Sequence, residues 1–396
     1  MFKYHGLTAT FILLLFSCKS DFDPVILSDL TDGSTRELVV QNLVRFDASS
    51  SPSQLGDALA SSDITIFGET HYTQEHQEFI VRMLPTLSQL GYRVIFDELF
   101  HSVGWIVEDY IAGHIEDVPE FIRFFHHELI EGIKDFNASV PDSLQFRLVY
   151  FDLNHWSQNF VHSLEIMEQQ IGQQALFAEI FNETLDSPGY ASALNGMEVA
   201  MESEEVFYRN DMGSKWYDRL LDMIRVEKAS YEFRSNRDHL SREILMFENI
   251  SQVFDAAPDK KYLVNTGMTH GQKETHMSID IPRIGATLSG LTEQIFSIAF
   301  IGIEGERKRR FYDENVIAFN LIESSRNSDM IKYIGEEAGG QLSYLPLSDA
   351  HFSNSIQRIS FSAGTTILAP VGRQFDALIC YPSISVLYSM DEFDWN

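Results

Sequence analysis

The 396 residues predict an α/β fold: a mostly parallel sheet flanked by helices, with a helical insertion over the carboxyl rim. Three observations carry this. Residues 63–100 read as strand, tight turn, helix, strand; two further apolar runs, at 146–151 and 262–265, also end in polar residues; and a long helical stretch separates those two runs.

Ile64-Thr65-Ile66-Phe67 is a β-branched apolar run closed by Gly68, the pattern of a buried strand. Thr73 stands where a helix cap belongs, and Glu75 and Glu78 lie near the positive end of the helix dipole. Phe79, Ile80, Met83, Leu84, Leu87 and Leu90 recur at helical spacing; Pro85 is expected to kink the helix and Gly91 to stop it. Val94-Ile95-Phe96 opens a second strand, parallel to the first through a right-handed crossover. An aromatic, helix-like region follows over 105–136. The third strand, 146–151, runs into Asp152-Leu153-Asn154-His155-Trp156. Residues 158–250 are acidic and helical in pattern, interrupted at Ser187-Pro188-Gly189. Such an insertion forms either a lid or side wall over the rim, or plain helices flanking the sheet. Tyr262-Leu263-Val264-Asn265 is a fourth strand and leads into Thr266-Gly267-Met268-Thr269-His270-Gly271. Later strands are expected at 294–302, 315–321, 365–369 and 375–381, and the basic run 307–310 reads as a solvated turn.

A hydrophobic fraction of 44% supports a sizeable core. Lys+Arg 29 against Asp+Glu 58 gives a formal charge of −29, which repels phosphate backbones and excludes nucleic acid as an expected partner. At the N-terminus, Lys3 precedes the apolar stretch Phe11-Ile12-Leu13-Leu14-Leu15-Phe16, which has signal-peptide length. Leu15-Phe16-Ser17-Cys18 resembles a bacterial lipobox. The resemblance implies a lipoprotein signal peptide over 1–17, a lipidated Cys18 and a membrane anchor in the bacterial cell envelope. The alternative is an ordinary signal peptide with an incidental cysteine. Lys19 after Cys18 resembles outer-membrane sorting. Residues 18–55 read as a tether with one possible short strand at Leu38-Val39-Val40, and 56–396 as the domain. If Cys18 is acylated, Cys380 alone remains, so no intrachain disulfide is expected; in its apolar run Cys380 reads as a buried small hydrophobe.

In open α/β sheets ligands bind outside the carboxyl ends of the strands. That places Glu69, His71, Glu98, Asp152, Asn154, His155 and His270 on one rim. A histidine there accepts a proton from water while a neighbouring carboxylate orients the ring, and two close carboxylates make an acid–base pair. The same oxygen and nitrogen donors could hold a divalent metal, although no HExxH helix or CxxC knuckle calls for one. A purely structural hydrogen-bonding role for Glu69 and His71 also fits the pattern. There is no G-x-S-x-G elbow, G-x-x-x-x-G-K-[ST] loop or G-x-G-x-x-G turn, which argues against serine hydrolysis on the usual α/β plan and against nucleotide cofactors. His76, His101, His114, His126 and His127 read as surface or half-buried side chains.

The strand closed by Gly68-Glu69-Thr70-His71, then a helix and a strand ending in Glu98, resembles the erythromycin esterase-like and ChaN-like superfamily, with the Tiki proteins more distant. Arg242-Glu243-Ile244-Leu245-Met246-Phe247-Glu248-Asn249-Ile250 is similar to the esterase family's R-[DE]-x-x-M-x-x-N-[IL] helix, and it too precedes a strand ending in a histidine, His270. The resemblance spans roughly residues 60–300. It implies a parallel sheet with a helical cap and water attack on an ester or related acyl bond of a small-molecule substrate. His71 would be the general base, Glu69 and Glu98 would orient it or the water, and His270 would polarise the carbonyl or hold the substrate. Asp152, Asn154 and His155 would line the substrate side. The esterases usually read G-E-x-x-H, whereas one residue separates Glu69 from His71 here, so macrolide specificity is not implied. The esterase reading requires no cofactor. The ChaN branch implies instead a haem- or iron-binding surface lipoprotein, and the Tiki branch a metal-dependent hydrolase; a catalytically dead binding module is the remaining alternative.

Overall fold

The computed structural model describes residues 33–47, 51–71, 73–257, 260–275, 281–308, 315–325, 329–362, 364 and 366–386. The signal peptide, Cys18 and the start of the tether lie outside the described residues. The strands are β1 (Val44–Arg45), β2 (Ile64–Glu69), β3 (Tyr92–Phe100), β4 (Arg147–Asp152), β5 (Lys261–Gly267), β6 (Ile295–Arg307), β7 (Ile317–Asn320), β8 (Ser343–Pro346), β9 (Gln357–Ser360), β10 (Thr366–Ala369) and β11 (Ala377–Ile384). Among the described residues the main sheet runs β1-β8-β11-β6-β2-β5-β3-β4, with β7 paired to β6, while β9 and β10 form a separate hairpin. From β11 to β4 every pairing is parallel; β1, β7 and β8 add antiparallel margins. The expected mostly parallel sheet is therefore present. β2 and β3 do run parallel, but β5 lies between them.

The strands alternate as buried strands must. Ile64 and Ile66 face one apolar layer with Val94, Phe96, Tyr262 and Val264, covered by Met246, Ile250 and Phe254 of the helix His239–Ala256. Phe67, Ile95, Leu148 and Tyr150 face the opposite layer, built by the helices Gln74–Gln89, His101–Ile111 and Glu120–Ser139. A third cluster packs the helix Met330–Ala338 and the β9–β10 hairpin on β6 and β11.

The helix Gln74–Gln89 runs on through Pro85, and Gly91, at φ +95, ends it. Thr73 occupies the N-cap position, yet its hydroxyl donates to the Thr70 carbonyl at 2.9 Å instead of capping the helix. Leu38-Val39-Val40, expected as a strand, lies inside the helix Gly33–Asn42, where Val39 is fully buried. This helix and β1 show that residues 33–47 of the stretch read as a tether pack on the folded unit. Of the basic run, Arg307 ends β6 rather than lying in a solvated turn and Lys308 is buried, while Arg309 and Arg310 lie outside the described residues.

Between β4 and β5 the insertion is six helices, from Ser157–Ile171 to His239–Ala256. Its first five helices extend the core on the Phe67 side of the sheet, while the sixth covers the other face. The flanking-helix alternative thus describes most of it. The last two helices also reach the rim, which two arginines mark: Arg234 donates to the Asn154 carbonyl at 2.7 Å and Arg242 to Glu98 at 2.7 Å.

Candidate functional site

β2, β5, β3 and β4 are adjacent in that order, so their carboxyl ends form one continuous rim. Glu69 ends β2 and is 4% exposed. Its Oε1 lies 2.8 Å from His71 Nδ1, in the turn just beyond, where the His71 side chain is 44% exposed and open to water. Crowding around the ring pushes His71 towards neutrality, but the Glu69 hydrogen bond and the charges of Glu69 and Glu98 outweigh it, raising the pKa to about 9. Burial works against the Glu69 anion as well, but its bond to His71 and the charges of His71, His76 and His126 together outweigh that and hold it below the usual carboxylate range. The pair therefore rests as carboxylate and imidazolium at neutral pH.

The ring lies over Gly267 at the end of β5, where a Cβ would stand 2.5 Å from His71 Nε2. Close approach of the imidazole is what requires glycine there. Glu98 sits beside it. The register of β3 on β4 shifts between Asp97 and Phe100, and an irregularity of this kind re-aims a side chain. Glu98 Oε2 accepts from Thr266 Oγ1 at 2.5 Å and from the Gly267 amide at 2.6 Å, while Oε1 accepts from Arg242 at 2.7 Å. Burial disfavours its charge, but His270, Arg242 and His71 together keep it ionised well below the usual range.

Arg242 also donates to both oxygens of Asp152, at 2.9 and 2.7 Å, joining the ends of β3 and β4. Asp152 in turn holds His155 Nε2 at 3.0 Å. His270, three residues past β5, has Nδ1 2.6 Å from Glu243 Oε1 and Nε2 3.4 Å from Glu98 Oε1. Glu243 is fixed by Arg283 at 2.7 Å and by the Ile284 amide at 3.0 Å.

The structure therefore brings Glu69, His71, Glu98, Asp152, His155 and His270 to one place. Asn154 is set apart. It is fully buried; its amide nitrogen donates to Ser102 Oγ at 2.6 Å and to Glu227 at 2.8 Å, and its carbonyl oxygen accepts the Ser102 amide at 3.2 Å. It ties the insertion to the strand end and faces no cleft. Of the histidines read as surface or half-buried, His114 is exposed, but His76 and His126 are buried, at 1% and 6% exposure. His76 stands three and four residues before Phe79 and Ile80, so the apolar helix face carries it inward.

Arg242 and Glu243 complete the site, although the sequence offered them only as part of a helix motif. Polar residues directly before an apolar helical run, facing a strand-end histidine, are the signal that could have found them. Among the described residues no three of His, Cys, Asp and Glu are grouped as a metal ion requires. Glu98 and Asp152, the carboxylates best placed for a cation, converge on a guanidinium instead. The residues present do not fit a resident divalent metal.

No protein-family model and no curated protein matches the chain. Solved structures do. A protein from Bacillus cereus aligns over 90% of this chain and 98% of its own at TM-score 0.68 and 14% identity. A succinoglycan biosynthesis protein aligns over 90% and 98% at TM-score 0.66 and 12% identity. A mutant of the erythromycin esterase EreC in its open conformation aligns over 84% and 94% at TM-score 0.61 and 15% identity. At these identities the likeness is one of fold. The chain shares the fold of erythromycin esterase, as the sequence resemblance implied. The haem-bound ChaN of Campylobacter jejuni aligns at TM-score 0.31, which carries no argument about haem.

Proposed function

We propose that the protein hydrolyses an ester or related acyl bond of a small molecule, with His71 as general base. One observation carries this reading: a solvent-open histidine at the carboxyl rim has its Nδ1 held by a buried glutamate at 2.8 Å. In the deprotonated ring, with Nδ1–H donated to Glu69, Nε2 is the atom that takes a proton from water, and Glu69 balances the imidazolium that forms. Glu98, ionised beside the ring, orients the imidazole or the attacking water. His270, anchored by Glu243, is placed to hold the substrate carbonyl. Asp152 fixes His155 on the substrate side, where the ring joins an aromatic group with Phe100 and Trp156, centroids 6.0 and 6.2 Å away. The esterase named among the fold neighbours supports the reading at the level of fold.

The test is a panel of esters and lactones offered to the soluble form that starts after Cys18, beside His71→Ala, with and without added divalent metal. Turnover without metal that His71→Ala abolishes, at unchanged thermal stability, is expected. Equal loss of activity and stability would make His71 structural. Silence across the panel, with a Soret band or bound metal on purification, would replace the hydrolase reading by a binding one. We further propose that the domain is held at the membrane of a bacterial envelope, the outer one, by a lipid on Cys18. Labelled palmitate incorporated by the full chain and not by Cys18→Ala would support it, and equal incorporation would overturn it.

A further inference from the structure

Behind Glu69 a second polar layer crosses the sheet. Phe67 on β2 pairs with Asn265 on β5, Asn265 with Asp97 on β3, and Asp97 with Tyr150 on β4, so the four form one row. The row faces the main apolar core, where Phe67 and Tyr150 lie. Asp97 and Asn265 are 0% and 1% exposed, and two buried histidines descend on them from the covering helices. His76 Nε2 donates to Asn265 Oδ1 at 2.7 Å, Asn265 Nδ2 donates to Asp97 Oδ1 at 2.8 Å, and His126 Nδ1 donates to Asp97 Oδ2 at 2.5 Å. His76 Nε2 is also 3.7 Å from Glu69 Oε2, the oxygen that does not bind His71.

Burying such a set is costly, and replacement of buried ion pairs by apolar residues of the same volume is often neutral or stabilising. The cost is visible locally. Among the described residues His76 Nδ1 has no hydrogen-bond partner, and the backbone at His126 (φ −140, ψ 47) breaks the helix Glu120–Ser139 where the ring turns to Asp97. His76 is held in orientation by Phe300, 4.5 Å away edge to face.

We infer that His76, Asn265, Asp97 and His126 form a positioning relay that fixes Glu69 from behind, and through Glu69 the orientation of the His71 base. The inference rests on His71 being the base. His76, clamped by Asn265, flanks one Glu69 oxygen, so the other is presented to His71 Nδ1. Asp97, clamped from both sides, holds Asn265 in turn. Burial favours the neutral form of His76, whereas Asp97 favours the protonated form of His126 against its own burial, close enough for its charge to act on Glu69 and His71. Among the described residues, the charged groups acting on His71 include Glu69, Glu98, Arg242 and His126.

The experiment is an NMR titration of the His71 ring in the full folded domain without substrate, in wild type, Asn265→Leu, His76→Phe and Phe67→Leu. Asn265→Leu and His76→Phe cut the relay while keeping bulk, and either suffices if the other fails to fold. Phe67→Leu loosens the same row without touching a polar contact. The His71 midpoint is expected to fall by a unit or more in the first two and to stay in the third. A midpoint unmoved in the relay variants, or moved equally in Phe67→Leu, overturns the relay. Because no substrate is present, the relay and the hydrolase reading fail separately: a shifted midpoint without turnover sinks only the latter.

Discussion

A Cβ built on Gly267 would stand 2.5 Å from His71 Nε2, 2.7 Å from its Cε1 and 3.4 Å from Glu98 Oε2. The atoms it meets first belong to a side chain that is half in solvent, so the ring yields and the backbone does not. Gly267→Ala is therefore expected to lower kcat/KM at least tenfold while moving Tm by little, and steady-state kinetics beside thermal unfolding checks both. The protonation state of the same ring sets the pH dependence. His71 acts as a base only when neutral, and its pKa is raised to about 9, so about one molecule in a hundred is competent at pH 7. The expected kcat/KM rises with pH and levels off above about 9. A profile already flat from pH 6 upward would mean that His71 is not the proton acceptor. The glutamate–histidine pair was legible in the sequence because two polar residues closed an apolar run at a turn. Its partner Gly267 was legible only as part of a glycine-bearing strand end, since β5 meets β2 from nearly two hundred residues away.

The helix Ser214–Asn236 is pinned to the rim by one buried carboxylate. Glu227 is fully buried and accepts from Tyr190 at 2.9 Å, Arg234 at 2.7 Å and Asn154 at 2.8 Å. Burial outweighs these donors and pushes its pKa up to about 7. The folded state therefore keeps the proton between about 4.5 and 7 while the unfolded chain releases it, so this group's contribution to stability is full below that window and is lost as pH rises through it. Urea unfolding of wild type against Glu227→Gln should show the variant gaining on wild type from pH 5 to pH 8, by at most about 3 kcal/mol; a difference independent of pH would place the charge elsewhere. Elements were legible where a local pattern specified them. The β2–β3 unit, β4, β5 and the helical insertion each announced themselves by period or by length. Leu38-Val39-Val40 did not, because three apolar residues carry no period and the helix Gly33–Asn42 owes its place to packing of Val39 against the Met330–Ala338 cluster. β8, four residues reading Ser-Tyr-Leu-Pro, exists through its pairing with β11 and β1, which no short window reveals.

Across the molecule, the site depends on an insertion meeting a sheet. β2, β5, β3 and β4 supply the carboxylates and histidines, and the helix His239–Ala256 supplies the Arg242 cation between them. In a chain of formal charge −29, that guanidinium decides whether two buried carboxylates attract or repel the structure around them. The Arg242 side chain is 12% exposed, Glu98 6% and Asp152 2%, so solvent offers little substitute for it. Arg242→Ala should cost about 3–5 kcal/mol of stability, as removal of one partner from a buried pair does. It should also abolish turnover, because Glu98, left to Thr266 and the Gly267 amide, would lose the cation that helps keep it ionised beside His71. The deficit has a sign in pH: without the arginine the two carboxylates protonate more readily, so acidification from pH 8 to pH 5 should narrow the gap to wild type in urea unfolding. Neutralising all three positions separates the two roles. Arg242→Met with Glu98→Gln and Asp152→Asn buries no unpaired charge and should recover most of the lost stability, yet stay inactive, since no ionised Glu98 remains beside the His71 ring. Recovery of turnover in that triple variant would show that the cation and its carboxylates only hold the insertion on the sheet, and would leave the chemistry to Glu69, His71 and His270.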